Sequence, residues 1–278
     1  MFSAIVASTL LQGQLEAVKE SLKKMGVIEF AYEGEYKRLD GVKGRSPIER
    51  RFVFSGDLKI TPALCLVETE HRQPSPNGFV VSKTSFSPEQ SIHMATLDGR
   101  KSASGDKTEP GGYGATTGSG HPLWNWFPSA SLLVANNAEA ASFSIEGEKT
   151  AHGRRCSVVV HRLKGSVDEA KYWVDLERNG IVLAKEFWRG GVFISMMTAK
   201  DIRQYKAKNG RTVWLPSVIV HEQYAKHPSD AETWVMELKP WNRSTTRIIP
   251  ESVKLDEEAS KIEEVKPWKE PQTKAGRI

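Results

Sequence analysis

The sequence predicts an α+β protein dominated by antiparallel β-structure. Three observations carry this. Apolar residues alternate with polar ones over many short runs, which is the period of a half-buried strand. Those runs are separated by turn residues rather than by helical segments, so they read as a meander and not as βαβ units. Asn-Gly and Gly-Gly pairs punctuate the second half, and primed hairpin turns need the positive φ that these residues adopt.

One helix precedes the strands. Leu11, Leu15, Val18, Leu22 and Met25 recur at intervals of four, three, four and three, which is one stripe of an α-helix. Glu16, Lys19, Glu20, Lys23 and Lys24 turn away from it, and Gly26 follows as a C-cap. Strand character starts at Val27. Further runs cover 51–60, 63–70, 78–85 and 90–96. Residues 101–122, rich in Gly, Ser and Thr, read as a flexible loop. Ser129–Ala141 holds enough Ala and Leu for a short mid-chain helix.

The second half is more regular. Lys171–Leu176 meets a turn at Asn179-Gly180, and Ile181–Trp188 meets one at Gly190-Gly191. Val192–Tyr205 leads to Asn209-Gly210 and then to Thr212–Tyr224. Pro216 inside that last run implies an edge position or a bulge, because proline donates no ladder hydrogen bond. Glu232–Lys239 is the last run of this kind.

Composition narrows the function classes. Of the 278 residues, 39% are hydrophobic and 26% charged, which excludes a multi-span membrane protein, a collagen-like fibre and a wholly disordered chain. The net charge of +5 is diffuse, with no block of five like charges. Nucleic-acid binders cluster their basic residues, so no nucleic-acid partner is expected. No stretch approaches the 18 apolar residues of a membrane span, so membrane contact is peripheral at most. Phe2–Leu11 has the length of a signal-peptide core but lacks a basic flank, so residues 1–12 read as an export signal or as an extension of the first helix. Residues 256–278 are polar and charged and read as a disordered tail. The span 13–255 between them is one domain.

Catalytic and metal signatures are few. The glycine cluster at 111–120 lacks the Gly-Lys-Ser/Thr ending of a phosphate loop, and no Gly-x-Ser-x-Gly elbow occurs. No histidine pair has metal-ligand spacing, so neither metal nor cofactor is expected, and the chain does not read as an enzyme. His93 and His221 would meet a carboxylate such as Glu68 or Glu222 only through the fold. Cys65 and Cys156 read either as two buried thiols or as one disulfide.

The aromatics say more. The chain has eight Trp, ten Phe and six Tyr, and many fall in the C-terminal strands. They form either an aromatic core under a covering helix or a concave apolar face that holds a lipid or acyl chain. The candidate ligand-binding residues are Trp173, Phe187, Phe193, Trp214 and Trp234.

One hairpin carries a resemblance. Tyr172-Trp-Val-Asp-Leu-Glu-Arg-Asn-Gly-Ile-Val-Leu-Ala-Lys-Glu186, followed by Val213-Trp-Leu-Pro216 and by Arg247-Ile-Ile-Pro250 through Asp256, resembles the lipoprotein-carrier (LolA/LolB-like) superfamily of bacterial envelope proteins. Leu176 stands where that group often has proline. The resemblance implies an unclosed half-barrel, a curved meander sheet with the N-terminal and mid-chain helices on its concave side. It implies a periplasmic or envelope location and a monomer that binds lipid or a lipoprotein acyl chain there. A second reading keeps the scaffold but fills the concave face with its own side chains, leaving an interaction or sensory module for a partner protein.

Overall fold

The computed structural model describes residues 26–40, 48–61, 66–75, 78–86, 91–97, 106–108, 141–178, 180–207, 210–224 and 242–256, with Gly13, Glu16, Glu20 and Pro240 as isolated positions. A first meander comprises β1 (Val27–Asp40), β2 (Ile48–Thr61), β3 (Leu66–Ser75), β4 (Gly78–Phe86), β5 (Ser91–Leu97) and β6 (Asp106–Thr108). A second comprises β7 (Ala141–Ala151), β8 (Arg154–Leu163), β9 (Asp168–Asp175), β10 (Ile181–Arg189), β11 (Val192–Lys206), β12 (Thr212–Gln223) and β13 (Asn242–Ile248). The short β14 (Lys254–Asp256) returns to β1. All fourteen belong to one antiparallel sheet, in the order β6-β5-β4-β3-β2-β1-β13-β12-β11-β10-β9-β8-β7. Nothing pairs β6 with β7 among the described residues, so the sheet is unclosed.

The predicted meander is therefore present. The N-terminal helix of the half-barrel is not among the described elements. Of its residues only Gly13, Glu16 and Glu20 are described, all exposed, and the stripe Leu11, Leu15, Val18, Leu22 and Met25 lies outside the described residues. The segment 129–140 of the mid-chain helix also lies outside them, and Ala141 opens β7. Within the 101–122 segment, Asp106–Thr108 pairs with β5.

Local chemistry explains the hairpins of the second meander. Gly190 and Gly191 both take positive φ, 56° and 79°, in the two-residue turn between Arg189 and Val192. Asp175, the aspartate of the resembling hairpin, is fully buried. Its carboxylate accepts from Arg154 Nε at 2.9 Å and from the Glu177 N–H at 3.1 Å, and its carbonyl accepts from the Gly180 N–H at 3.0 Å. That aspartate thus locks the turn rather than binding a ligand. Pro216 lies in β12 opposite Ile202, beyond Val218 where the β12–β13 ladder begins. It occupies a local edge, as its missing N–H requires.

The two meanders join where β1 meets β13, from Tyr32↔Ile248 to Arg38↔Asn242. The chain then makes a one-turn 3-10 helix, Pro250–Ser252, before β14 resumes the pairing at Glu29↔Lys254. Ser252 fills the gap. Its Oγ accepts from the Ala31 N–H at 2.8 Å and donates to the Ile249 carbonyl at 2.6 Å, while the Ile249 N–H donates to the Ala31 carbonyl at 2.9 Å. Ser252→Ala orphans the Ala31 donor, and we expect a loss of about 1–3 kcal/mol, seen as a lower urea midpoint at unchanged slope.

Gly34 sits in the same stretch of β1. A Cβ there would press on the Thr245 carbonyl oxygen of β13 and on the Phe54 ring of β2. Phe54 lies across the glycine, between Tyr32 (centroids 6.5 Å, edge-on) and Tyr36 (6.3 Å, stacked). Gly34→Ala should destabilise by about 1–3 kcal/mol, because backbone of the neighbouring strand cannot yield as a side chain would. A thermal midpoint equal to that of the wild type would refute the close approach.

Candidate functional site

The sheet has two chemically different faces. One carries the main hydrophobic cluster, which includes Ile28, Phe30, Tyr32, Phe54, Leu58 and Ile60 from β1–β2 and Val159, Tyr172, Met197, Leu215 and Ile219 from the second meander. The opposite face holds a small cluster of Ala151, Cys156, Ile181 and Leu183, packed by Trp173 and Trp214. Charges lie over that face. Lys149 Nζ stands 5.2 Å from the Trp173 ring, Arg178 4.7 Å from the Trp214 ring, and Lys171 bonds Glu146 at 2.9 Å. Such partly exposed pairs each stabilise by at most about 1 kcal/mol.

The core face is not uniformly apolar. Register partners define a transverse row across eight strands: Tyr36, Ser244, His221, Met197, Lys185, Tyr172, Val159 and Ile145. A second row, two residues along, runs Phe143, His161, Ala170, Phe187, Ser195, Gln223 and Asn242. Directly paired residues share a face of the sheet. Lys185, His161 and His221 therefore lie together on the core side.

Each of these three groups is strongly perturbed. Burial pushes the Lys185 ammonium down to about 7, and its Nζ lies 5.1 Å from the centre of the Tyr172 ring. Loss of solvent, with the Lys185 charge adding to it, lowers His161 and His221 to about 4. The His161 ring stacks on Phe143 at 4.6 Å between centroids. His221 is half-buried.

Hydroxyls accompany them. Ser217, Ser244 and Thr246 are 6%, 7% and 0% exposed, and their oxygens have no hydrogen-bond partner among the described residues. Asn242 Oδ1 is likewise unpartnered, although its Nδ2 donates to Gln223 Oε1 at 2.8 Å. Buried polar groups are ordinarily satisfied, and each orphan costs about 1–3 kcal/mol.

Of the five aromatics singled out from sequence, the four that are described do not converge. Phe187 lies on the core face, beside Lys185 in the next row. Trp173 and Trp214 pack on the opposite cluster. Phe193 contacts Trp188 at 5.2 Å and Tyr224 at 5.4 Å. Trp234 lies outside the described residues. Of the histidine–carboxylate pairs weighed from sequence, His93 stands in β5 opposite Thr84 and Asp106. Glu222 points to the opposite face from His221, where Tyr224 and Arg243 engage it. Cys156 is a buried free thiol, and burial raises it to about 11. Cys65 lies outside the described residues. Among the described residues no three His, Cys, Asp or Glu converge as metal ligands.

Sequence reasoning missed Lys185 for a specific reason. From Val182, a core residue, strict alternation would send Lys185 and Phe187 to the other face. A bulge between Val182 and Ala184 shifts the phase and brings Lys185 opposite Tyr172.

The buried histidine has a consequence for acid stability. The folded state holds the His161 ring neutral down to about pH 4, whereas an unfolded chain protonates it near pH 6.5. The folded pKa is lowered, so stability is highest above about pH 6.5 and falls as the pH drops towards 4. His161→Gln should flatten that slope by on the order of 3 kcal/mol between about pH 7 and pH 4. Urea titrations at both pH values measure it, and an unchanged slope would count against a buried neutral ring.

No protein-family model matches the sequence, and no curated protein matches it. Solved structures do match by shape. A domain assigned to outer membrane lipoprotein sorting from Vibrio parahaemolyticus aligns at a TM-score of 0.52 and 11% identity, over 87% of this chain and 92% of that one. A DUF1329 family protein from Desulfovibrio piger aligns at 0.52 and 10% identity, over 88% and 93%. A LolA superfamily protein from Nitrosomonas europaea gives 0.47 at 10% identity, over 89% and 94%. No helix among the described residues is long and apolar enough to cross a membrane. The resemblance carried by the Tyr172–Glu186 hairpin is thus one of fold: this chain has the unclosed antiparallel architecture of the lipoprotein-sorting domains.

Proposed function

We propose that this is a non-enzymatic envelope protein whose core face binds a hydrophobic ligand, a lipid or a lipoprotein acyl chain. One observation supports this above the rest. The core face joins a broad apolar surface to buried hydroxyls that no described side chain satisfies, and a self-sufficient core would satisfy them. Removing apolar surface from water would drive binding, at about 25 cal/mol per Å². The lipoprotein-sorting role of the similar Vibrio domain agrees with this reading but does not transfer by fold alone. Phe187 is the aromatic that we place in contact with the ligand. The protein acts as a periplasmic monomer, peripheral to the membrane.

Protein purified without detergent should carry lipid in native mass spectra and bind a fluorescent fatty acid at micromolar levels. Phe187→Ala should weaken that binding by about tenfold, the ~1.4 kcal/mol expected for losing a partly buried aromatic contact. A lipid-free protein that ignores the probe would sink the proposal.

A partner-protein reading has its own support. The outer edge of β7 has no strand partner among the described residues, and an extended segment could add there. The bulge at Ile145/Gly147 and the exposed Glu146, Glu148 and Lys149 weigh against free pairing along that edge. Recovery of a protein partner from envelope extract, with no lipid, would favour this second reading.

A further inference from the structure

We propose that the ligand is an anionic amphiphile, with its carboxylate or phosphate-ester head at the Lys185–His221–Ser244 row and its acyl chain along the apolar part of the same face. This rests on the hydrophobic-ligand reading and specifies the ligand's chemical class. The geometry comes first. Ser244 is the register partner of His221, His221 of Met197, and Met197 of Lys185, so ammonium, imidazole and hydroxyl stand side by side on one face. His161 and Ser195 occupy the adjacent row. Neither row contains Asp or Glu.

The donor inventory selects the head group. Lysine ammonium, imidazole N–H and serine or threonine O–H all donate, and among the described residues Asn242 Oδ1 is the one orphan that only accepts. A carboxylate or phosphate ester accepts several such bonds at once, and charge-assisted bonds are about twice as strong as neutral ones. A neutral ester or an alcohol offers no charge-assisted acceptor to this set. The orphaned hydroxyls are independent of the charged groups. Ser217, Ser244 and Thr246 are each more than nine-tenths buried, on neighbouring strands, and all lack partners among the described residues. Two of them, Ser244 and Thr246, stand two residues apart on one face of β13 and mark a place where a ligand completes the bonding.

Burial also poises Lys185 for this role. Its ammonium, pushed down to about 7, recovers its charge beside an incoming anion. The chain end has a matching surface. Tyr32, Phe54, Ile219 and Ile248 continue the face from Ser244 and Thr246 towards β1 and β2 without a charged group among them.

The test compares dansyl-labelled undecanoic acid with its methyl ester on the full chain. The two probes share their apolar body and differ in head charge. The acid should bind about tenfold or more tightly than the ester. Lys185→Met keeps the length of the stem and removes the charge; it should bring the two affinities together by weakening the acid. Ser244→Ala removes no hydrogen bond to a described residue and should lower acid affinity severalfold, and it decides the matter if Lys185→Met fails to fold. Equal binding of acid and ester to the wild type would overturn the anionic head and leave hydrophobic binding intact. Binding of neither would overturn the reading beneath it. Displacement of the acid by inorganic phosphate alone would assign the row to a free anion and overturn the amphiphile; failure of phosphate to displace it supports the amphiphile.

Discussion

Everything in this sheet depends on β1 pairing with β13. Each meander is held by hairpins, which are local and close cheaply. The β1–β13 ladder is not local: Tyr32 meets Ile248 and Arg38 meets Asn242 across most of the chain. Closing a loop of ~200 residues costs about 5 kcal/mol in chain entropy beyond a constant. Seven ladder pairs, the Ser252 clasp on Ala31 and the return of β14 offset that cost. Gly34 makes the approach close, and Phe54 covers it from β2. Without this seam there would be two sheets with four edges, and the first meander would lose the partner of its longest strand.

The seam also builds the candidate site. Ser244 and Thr246 belong to β13 and reach His221 and Ile219 only because β13 lies between β1 and β12. The bulge in β10 supplies the other half by turning Lys185 and Phe187 onto the core face. A lysine and two histidines on a hydrophobic face contradict the local rule that strands point their charges to water. Sites that break local rules at a cost in stability are where function concentrates. The opposite face obeys the rule, with Lys171, Glu146 and Glu169 exchanging charge across neighbouring strands.

Much of the fold was legible and little of the site was. Alternation and turn chemistry located β1 to β5 and β9 to β12, because hairpins are encoded by neighbours in sequence. Pro216 announced a local edge, and the Asp175 hairpin pointed to the right architecture. The seam between β1 and β13 was not legible, since no local signal encodes a pairing that spans most of the chain. The aromatic count does not say which face of the sheet each ring covers. Trp173 and Trp214 are large and lie in strands, yet they shield Cys156 and Leu183 on the far face under cations. Hydrophobic size says that a residue is covered, not which face it covers, and a single bulge inverts the assignment for every residue after it.

The two ends of the core face differ in a way that fits an amphiphile better than a hydrocarbon. Strands β10 to β13 contribute Lys185, Ser195, Ser217, His221, Ser244 and Thr246. Strands β1 and β2 contribute Ile28, Phe30, Tyr32, Phe54, Leu58 and Ile60. A plain apolar chain would gain from the second set and leave the Ser217, Ser244 and Thr246 hydroxyls without a partner among the described residues, at about 1–3 kcal/mol for each orphaned group. A ligand polar at one end and apolar at the other engages both, and the sheet's own asymmetry then sets its direction: head towards β10–β13, tail towards β1–β2. Because the seam lies between these halves, the interaction that holds the fold together also aligns the two chemistries along one ligand's length.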